Sequence, residues 1–504
     1  MSSRRSVLLA TEGTYPFHKG GVSTWCDVLT WQLPEIDFRL LAVTMHPYLG
    51  ASYALAPNVE LLPVPLWGTE HPAEFDRTST FADYLERRWR TTPSSISSAF
   101  AGPFERFLRL AVGHGIDLPF AGRDALADAL VELHEFFLGH DIARAFFAAP
   151  TFELFERCIR ELHAADSVGG GPAGPAAADA VEALRLLYRL LLVLAVRIPK
   201  VDVTHAAAAA FCGLPCVVAR RRDNVPFLLT EHGIYVREQY LNLRRIIASP
   251  FVRWFMYRIV GAVTAVNYHA ADLLTPVCAY NARWEQWARV PAGKIQVIYN
   301  GVDPTRFQPA PRPASHRPTI ANIGLIFPLK NQLGLIDAAA LVRRHVPDVR
   351  VVLHGSASDD EYYAQCVRRV AELGLERTVE FAGPTTEPWK AYQAADVVAM
   401  SSVSEGFPYA VIEAMLCGAA IVATDTGGVS EAIEGAGLIV PPRDTERMAE
   451  ALSALLLNPK ARAVLGAQAR AKALASFTQE QFLAAYREAY DRLTGRRDRT
   501  RLAA

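Results

Sequence analysis

Two glutamates eight positions apart, Glu405 and Glu413, lie in the run SSVSEGFPYAVIEAMLCGAAIVATDTGGVSE at 401–431. Glu413 is the one charge in residues 409–417, which are apolar on nearly every side and read as a buried helix closed by Gly418. A lone buried carboxylate is costly unless it is paired or hydrogen-bonded. The hydroxyls of a bound ribose would satisfy it. Downstream, an apolar strand at 420–424 empties into Asp425-Thr426-Gly427-Gly428, and a helix restarts at Val429. Strand, glycine turn and helix start together make an anion site, since the first helical amides lack partners of their own. The plain alternative is a βαβ unit with a capped helix. The coincidence of two spaced carboxylates with a glycine turn makes that the weaker account.

A second glycine pair, Gly20 and Gly21, stands between a strand at 6–11 and a helical pattern at 22–33. Glycine there lets backbone amides approach a diphosphate closely. Gly427-Gly428-Val429 repeats the arrangement, and the expectation is that the two turns face one cleft from opposite sides. A strand at 227–230 runs out into Glu231-His232-Gly233. Open α/β sheets place ligands at such strand ends, so His232 is a candidate site residue. His205, which ends the strand at 201–205, is another, and for either histidine a structural role is the alternative. His18 and Lys19 flank the first glycine pair.

These residues need two scaffolds. A chain of 504 residues exceeds one ordinary core. The second half alternates strands at 319–326, 349–354, 379–382, 397–400 and 420–424 with helices, a doubly wound parallel sheet. The first half has strands at 6–11, 38–44, 201–205, 227–230, 261–267 and 294–299. Residues 50–200 lose the strict rhythm and read as a helical insertion, with helices at 124–138 and 152–164. Flexible stretches are expected at 167–176 and, as the linker between domains, at 309–318. The expected division is 1–312 and 313–477, with a last helix at 478–493 returning to the first domain.

Hydrophobic residues make up 51% and charged residues 21%, with zero formal net charge, so nothing favours nucleic acid as a partner. The basic run at 496–501 reads as a solvated end. Seven scattered cysteines without a Cys-x-x-Cys pair argue against a zinc site and suit a reducing cytoplasm. No metal ligands are expected. The most apolar run, 186–196, is too short to span a bilayer.

The pattern SEGFPYAVIEAM, with TDTGGVSEAI and VIYNGVDPTRF, resembles the nucleotide-sugar half of glycosyltransferase family 4. TEGTYPFHKGGVSTW and LLTEHGIYVRE are similar to the first domain of the cytosolic glycosyltransferases of Pel-type exopolysaccharide synthesis. The resemblance implies a GT-B fold, two Rossmann-like domains facing a cleft. It also implies retaining transfer of a hexose from a nucleoside diphosphate sugar, UDP-linked, to a growing glycan, with no tightly bound cofactor. A membrane-bound polysaccharide synthase is the implied partner. In the family pattern Lys330 meets the phosphates, Glu413 the ribose and Glu405 the donor sugar. Gly406 and Phe407 supply backbone contacts to sugar hydroxyls, and Gly383 lies near the base. Two departures stand out. Leu325 occupies the place of a family arginine, and His205-Ala206-Ala207 lacks the second histidine of His-x-His. They leave a second reading open, a non-catalytic GT-B subunit of a polysaccharide synthesis complex.

Overall fold

The computed structural model describes residues 4–68, 79–166, 175–311 and 316–495. Most of the stretch at 167–176, the middle of the 309–318 linker and the basic run at 496–501 lie outside them. The chain divides into two compact units. Within the described residues, one comprises 4–276, 283–296 and 487–495, and the other 277–282 and 297–486.

The first unit holds a six-stranded sheet of β1 (Arg5–Glu12), β2 (Ile36–Thr44), β3 (Val59–Pro65), β4 (Val203–Ala206), β5 (Phe227–Glu231) and β6 (Leu273–Pro276). Their order is β3-β2-β1-β4-β5-β6. The second holds β7 (Thr319–Ile323), β8 (Arg350–His354), β9 (Val379–Gly383), β10 (Val397–Met400), β11 (Ala420–Thr424) and β12 (Leu438–Val440), ordered β12-β11-β10-β7-β8-β9. Neighbouring strands pair in parallel throughout both sheets. Parallel strands carry apolar residues on both faces because helices cover both. In the second sheet Ala321, Val398 and Ile421 pack toward the helices Tyr409–Leu416 and Pro459–Ser476. Ile320, Val397 and Val422 on the other face meet Gln332–His345 and Thr445–Leu457. Strand order reverses between β1 and β4 in one sheet and between β7 and β10 in the other, so the loops after those strands splay apart.

The helical insertion is present, but it begins later than expected. β3 falls inside 50–200 and pairs with β2 from Phe38↔Val59 to Thr44↔Pro65. Val59–Pro65 contains two prolines and sits at the sheet edge, where missing ladder donors are tolerated. Beyond it, Phe100, Phe104, Phe137 and Phe146 form the centre of a helical subcore.

Two expected strands are absent. Residues 261–267 belong to the helix Pro250–Ala270, capped by Ser249, whose hydroxyl accepts the Val252 amide at 3.2 Å. Its run of Gly, Ala, Val and Thr reads as β because a helix buried on all sides has no polar stripe to reveal its period. Gly261 is needed for packing: a Cβ there would lie 2.6 Å from the Ile116 nitrogen. Residues 294–299 form no strand either. A short turn, Ala292–Lys294, precedes a single bridge from Ile295 to Leu274, and β6, which the sequence did not suggest, forms the sheet edge.

The last helix, Gln479–Thr494, begins in the second unit and ends in the first. There Arg487 donates to Glu35 at 2.8 Å, Arg5 pairs with Asp491, and Tyr490 is fully buried. All seven cysteines are buried thiols.

Candidate functional site

In the second unit Lys330, Glu405, Gly406 and the Gly427-Gly428 turn are brought together beside the reversal between β7 and β10, whereas Gly383 ends β9 at the sheet edge. The loop after β7 leads through the turn Pro328–Lys330 to Asn331, which adopts φ 51° and caps the helix Gln332–His345. That turn aims Lys330 back across the sheet end, where its Nζ lies 2.5 Å from Glu405 Oε1. The Ser402 hydroxyl donates to the same oxygen at 2.6 Å, and Ser401 Oγ donates to the Lys330 carbonyl at 2.9 Å. The Glu405 side chain is 8% exposed and that of Lys330 25%. An ion pair this close to water-poor surroundings is strong, and a ligand anion would meet a lysine already oriented.

The glycine turn is packed onto the Glu405 loop. The Gly428 amide donates to the Gly406 carbonyl at 2.7 Å. Gly427 has φ +56°, and a Cβ on it would lie 2.0 Å from the Glu405 oxygen. Only glycine fits that approach. Phe407 is buried, and its carbonyl accepts from Asn300 Nδ2 at 2.7 Å. Gly383 ends β9 at φ +72°.

Glu413 projects from the helix Tyr409–Leu416 and accepts from the Tyr392 hydroxyl at 2.8 Å. Burial pushes its carboxyl up to about 6, while the Tyr392 hydroxyl and the charge of Arg306 pull the other way. Tyr392 therefore already meets part of the need expected of ribose. Arg306 stacks over Trp389 at 4.4 Å. Neither Tyr392 nor Arg306 is marked by spacing in the sequence. Leu325 is half-buried, and its carbonyl accepts from Gln332 Nε2 at 2.9 Å.

Gly20, Gly21 and His232 belong to the first unit. Gly20 precedes the helix Gly21–Gln32 with no side-chain cap, and its carbonyl accepts the Thr24 amide. His232 follows β5, with its ring edge-on to Trp25 at 4.9 Å and Nε2 buried without a partner. Burial lowers its pKa to about 3, so the ring is neutral near pH 7. His205 is a core histidine. It is fully buried, with Nδ1 2.7 Å from the Tyr490 hydroxyl and Nε2 2.8 Å from Thr230 Oγ1.

Beside His232 lies a feature that sequence reasoning missed. Glu231 is fully buried, accepts from the Tyr268 hydroxyl, and accepts the Tyr235 amide at 3.2 Å. Glu285, in the helix Ala279–Trp287, is also fully buried, and neither of its carboxylate oxygens has a hydrogen-bond partner. Burial pushes Glu231 up to about 8. Burial and then the charge of Glu231 push Glu285 up to about 9. Near neutral pH the pair therefore keeps at least one proton, since no buried pair of like charges persists unneutralised. Nothing in the surrounding ARWEQW marks Glu285 as interior.

Among the described residues, no helix is long and apolar enough to cross a membrane.

Comparison with known proteins gives two family matches. Residues 5–289 match a domain of unknown function, DUF3492, and residues 305–472 match the glycosyl transferases group 1 domain. A D-inositol 3-phosphate glycosyltransferase of Saccharomonospora viridis is 35% identical over 216 residues, 39% of this chain and 50% of that protein. A GDP-mannose-dependent alpha-(1-6)-phosphatidylinositol monomannoside mannosyltransferase of Mycobacterium tuberculosis is 28% identical over 258 residues, 46% of this chain and 66% of that protein. The chain thus spans about half the length of the first of these curated relatives. The fold matches solved structures along nearly its whole length. Anabaena HepE in complex with UDP covers 97% of this chain and 100% of its own, with a TM-score of 0.57 at 16% identity. A sucrose-phosphate synthase of Thermosynechococcus elongatus covers 98% and 100%, with a TM-score of 0.60 at 17% identity. These likenesses make the architecture that of GT-B glycosyltransferases. Because the first family model covers more than half of the chain, the protein belongs to the DUF3492 family and joins to that domain a glycosyl transferases group 1 domain at residues 305–472.

Proposed function

We propose that the protein is a retaining glycosyltransferase that moves a hexose from a nucleoside diphosphate sugar to a growing glycan. The observation that carries this reading is the Lys330–Glu405 pair, set against the glycine turn at 427–428. In such a transfer the diphosphate leaves with increasing negative charge, while the sugar ring becomes positive. Lys330 would stabilise the first and Glu405 the second, and their mutual pairing holds both ready. Gly406 and Phe407 would offer backbone groups to sugar hydroxyls, and Gly383 would border the base. Glu413 would accept from the ribose. Neutral His232, with its free Nε2, would serve as a hydrogen-bonding group toward donor or acceptor.

A uridine nucleotide is the proposed donor carrier. HepE's complex with UDP supports it, while the GDP-mannose-dependent relative supplies the competing choice. The proposed setting, by resemblance of the first domain's motifs, is exopolysaccharide synthesis in the cytoplasm beside a membrane-bound synthase. One observation favours the alternative of a non-catalytic GT-B subunit: Leu325, where a second phosphate cation would stand.

Nucleotide binding tests the ribose role. Glu413→Ala is expected to weaken UDP binding by about 1.5 kcal/mol, close to tenfold, the low end for hydrogen bonds to a charged group. Native affinity should also fall as pH drops through about 6, where Glu413 takes up a proton and loses acceptor capacity. Calorimetry at pH 5 and pH 7.5 reads both effects. Equal UDP affinity in a folded Glu413→Ala variant would remove Glu413 from the site.

A further inference from the structure

Glu431 lies in the short helix that follows the glycine turn, Val429–Ile433. Its Oε1 and Oε2 accept the Ala279 amide at 3.1 and 2.9 Å, and Oε2 accepts the Tyr280 amide at 3.4 Å. The Tyr299 hydroxyl donates to Oε1. Ala279 and Tyr280 open the helix Ala279–Trp287, so their amides have no partner within it. The cap is supplied by a carboxylate 152 positions away in the sequence.

Holding those amides fixes what the same segment touches. Cys278 lies against the glycine turn: a Cβ on Gly428 would sit 2.6 Å from Cys278 Cβ and 2.7 Å from Phe407 Cδ2. The Cys278 thiol reaches the Gly406 carbonyl at 3.9 Å, and the Gly428 amide donates to that carbonyl. Residues 277–280, the glycine turn and the Glu405 loop are therefore stacked without space for one methyl group. We infer that Glu431 is a positioning residue that sets the Glu405–Phe407 loop through Ala279, Tyr280 and Cys278. This rests on the donor-site reading above. A glutamine at 431 keeps the size but has one acceptor oxygen where the carboxylate has two and carries no charge, so the cap is weakened.

The test compares native protein, Glu431→Gln and Tyr299→Phe in full-length form. Hydrogen exchange at Ala279 and Tyr280, UDP affinity, and steady-state transfer are measured on each. The expected result for Glu431→Gln is exchange at least tenfold faster at those amides and kcat about tenfold lower, with UDP affinity within twofold of native. Tyr299→Phe, which keeps both amide contacts, should lower kcat about threefold and stays informative should Glu431→Gln fail to fold. Faster exchange with unchanged kcat would make Glu431 a structural cap only and overturn the inference. Loss of kcat in step with UDP affinity and melting temperature would do the same. A native protein that turns over no sugar nucleotide would overturn the donor-site reading and this inference together, an outcome distinct from native turnover that survives Glu431→Gln.

Discussion

Lys330→Ala is expected to lower turnover of a nucleoside diphosphate sugar by about 100-fold or more, the range for loss of one preorganised group at a developing anion. The size of the effect follows from the surroundings. The family arginine is replaced by Leu325, whose side chain brings no charge. The glycine turn adds only the partial charges of backbone amides. On the proposed reading, Lys330 would then be the main side-chain cation facing the leaving diphosphate. It is also the partner of Glu405 at 2.5 Å. Its removal would leave a carboxylate that is 8% exposed without its counter-charge and repelling the phosphates. Single-turnover kinetics with saturating donor isolate the chemical step. Leu325→Arg should act in the opposite direction, raising donor affinity or turnover by restoring a second cation. Near-native turnover in Lys330→Ala would remove Lys330 from the leaving-group site. Should native protein and Leu325→Arg both stay inactive with every donor, the non-catalytic reading becomes the better one.

Glu285→Gln is expected to stabilise the protein above neutral pH. Glu231 and Glu285 are fully buried, and burial holds both well above the ordinary glutamate value of about 4.3. The native state then keeps protons that the unfolded chain releases above that value. Their stabilising contribution is complete below about pH 4 and declines as pH rises toward the native values of about 8 and 9. Each retained proton tilts the curve by about 1.4 kcal/mol per pH unit across that window. Glutamine keeps the shape of Glu285 and has nothing to ionise, so the tilt should shrink. At pH 8.5 the variant should exceed native stability by about 1–4 kcal/mol, the scale seen when buried charges are replaced. Melting temperatures of both proteins at pH 5.5 and pH 8.5 are the measurement. Parallel losses in native and variant would mean that Glu285 is not the group holding the proton.

Short apolar runs bounded by glycine, proline or polar turns made five strands of the second sheet legible, from 319–323 to 420–424, while the three-residue β12 went unread. The same property hid the helix Pro250–Ala270: once every face is buried, the helical period leaves no trace in polarity. β3 was missed because its prolines argue against a strand unless the edge position is known. In the site, Glu405, Glu413 and Gly427-Gly428 could be found from spacing, since neighbours in sequence remain neighbours in the loop–helix unit. Their partners could not. Tyr392 lies 21 positions before Glu413, and Lys330, which the family pattern marked for the phosphates but not as the partner of Glu405, lies 75 before it. Glu431 is visible as an acid just after the glycine turn, but the amides it holds come from another part of the chain. Glu285 carries no local signal, because only tertiary packing makes it interior.

Sugar transfer from a nucleotide donor is the activity proposed for the Lys330–Glu405 site. The direct measurement is release of nucleoside diphosphate from a panel of UDP- and GDP-linked hexoses, with Lys330→Ala as the control protein. The proposed transfer should give release from at least one donor, fastest among the UDP-sugars, and about 100-fold slower in the variant. Release at equal rates in both proteins, or none from any donor with a folded native protein that binds UDP, would contradict it.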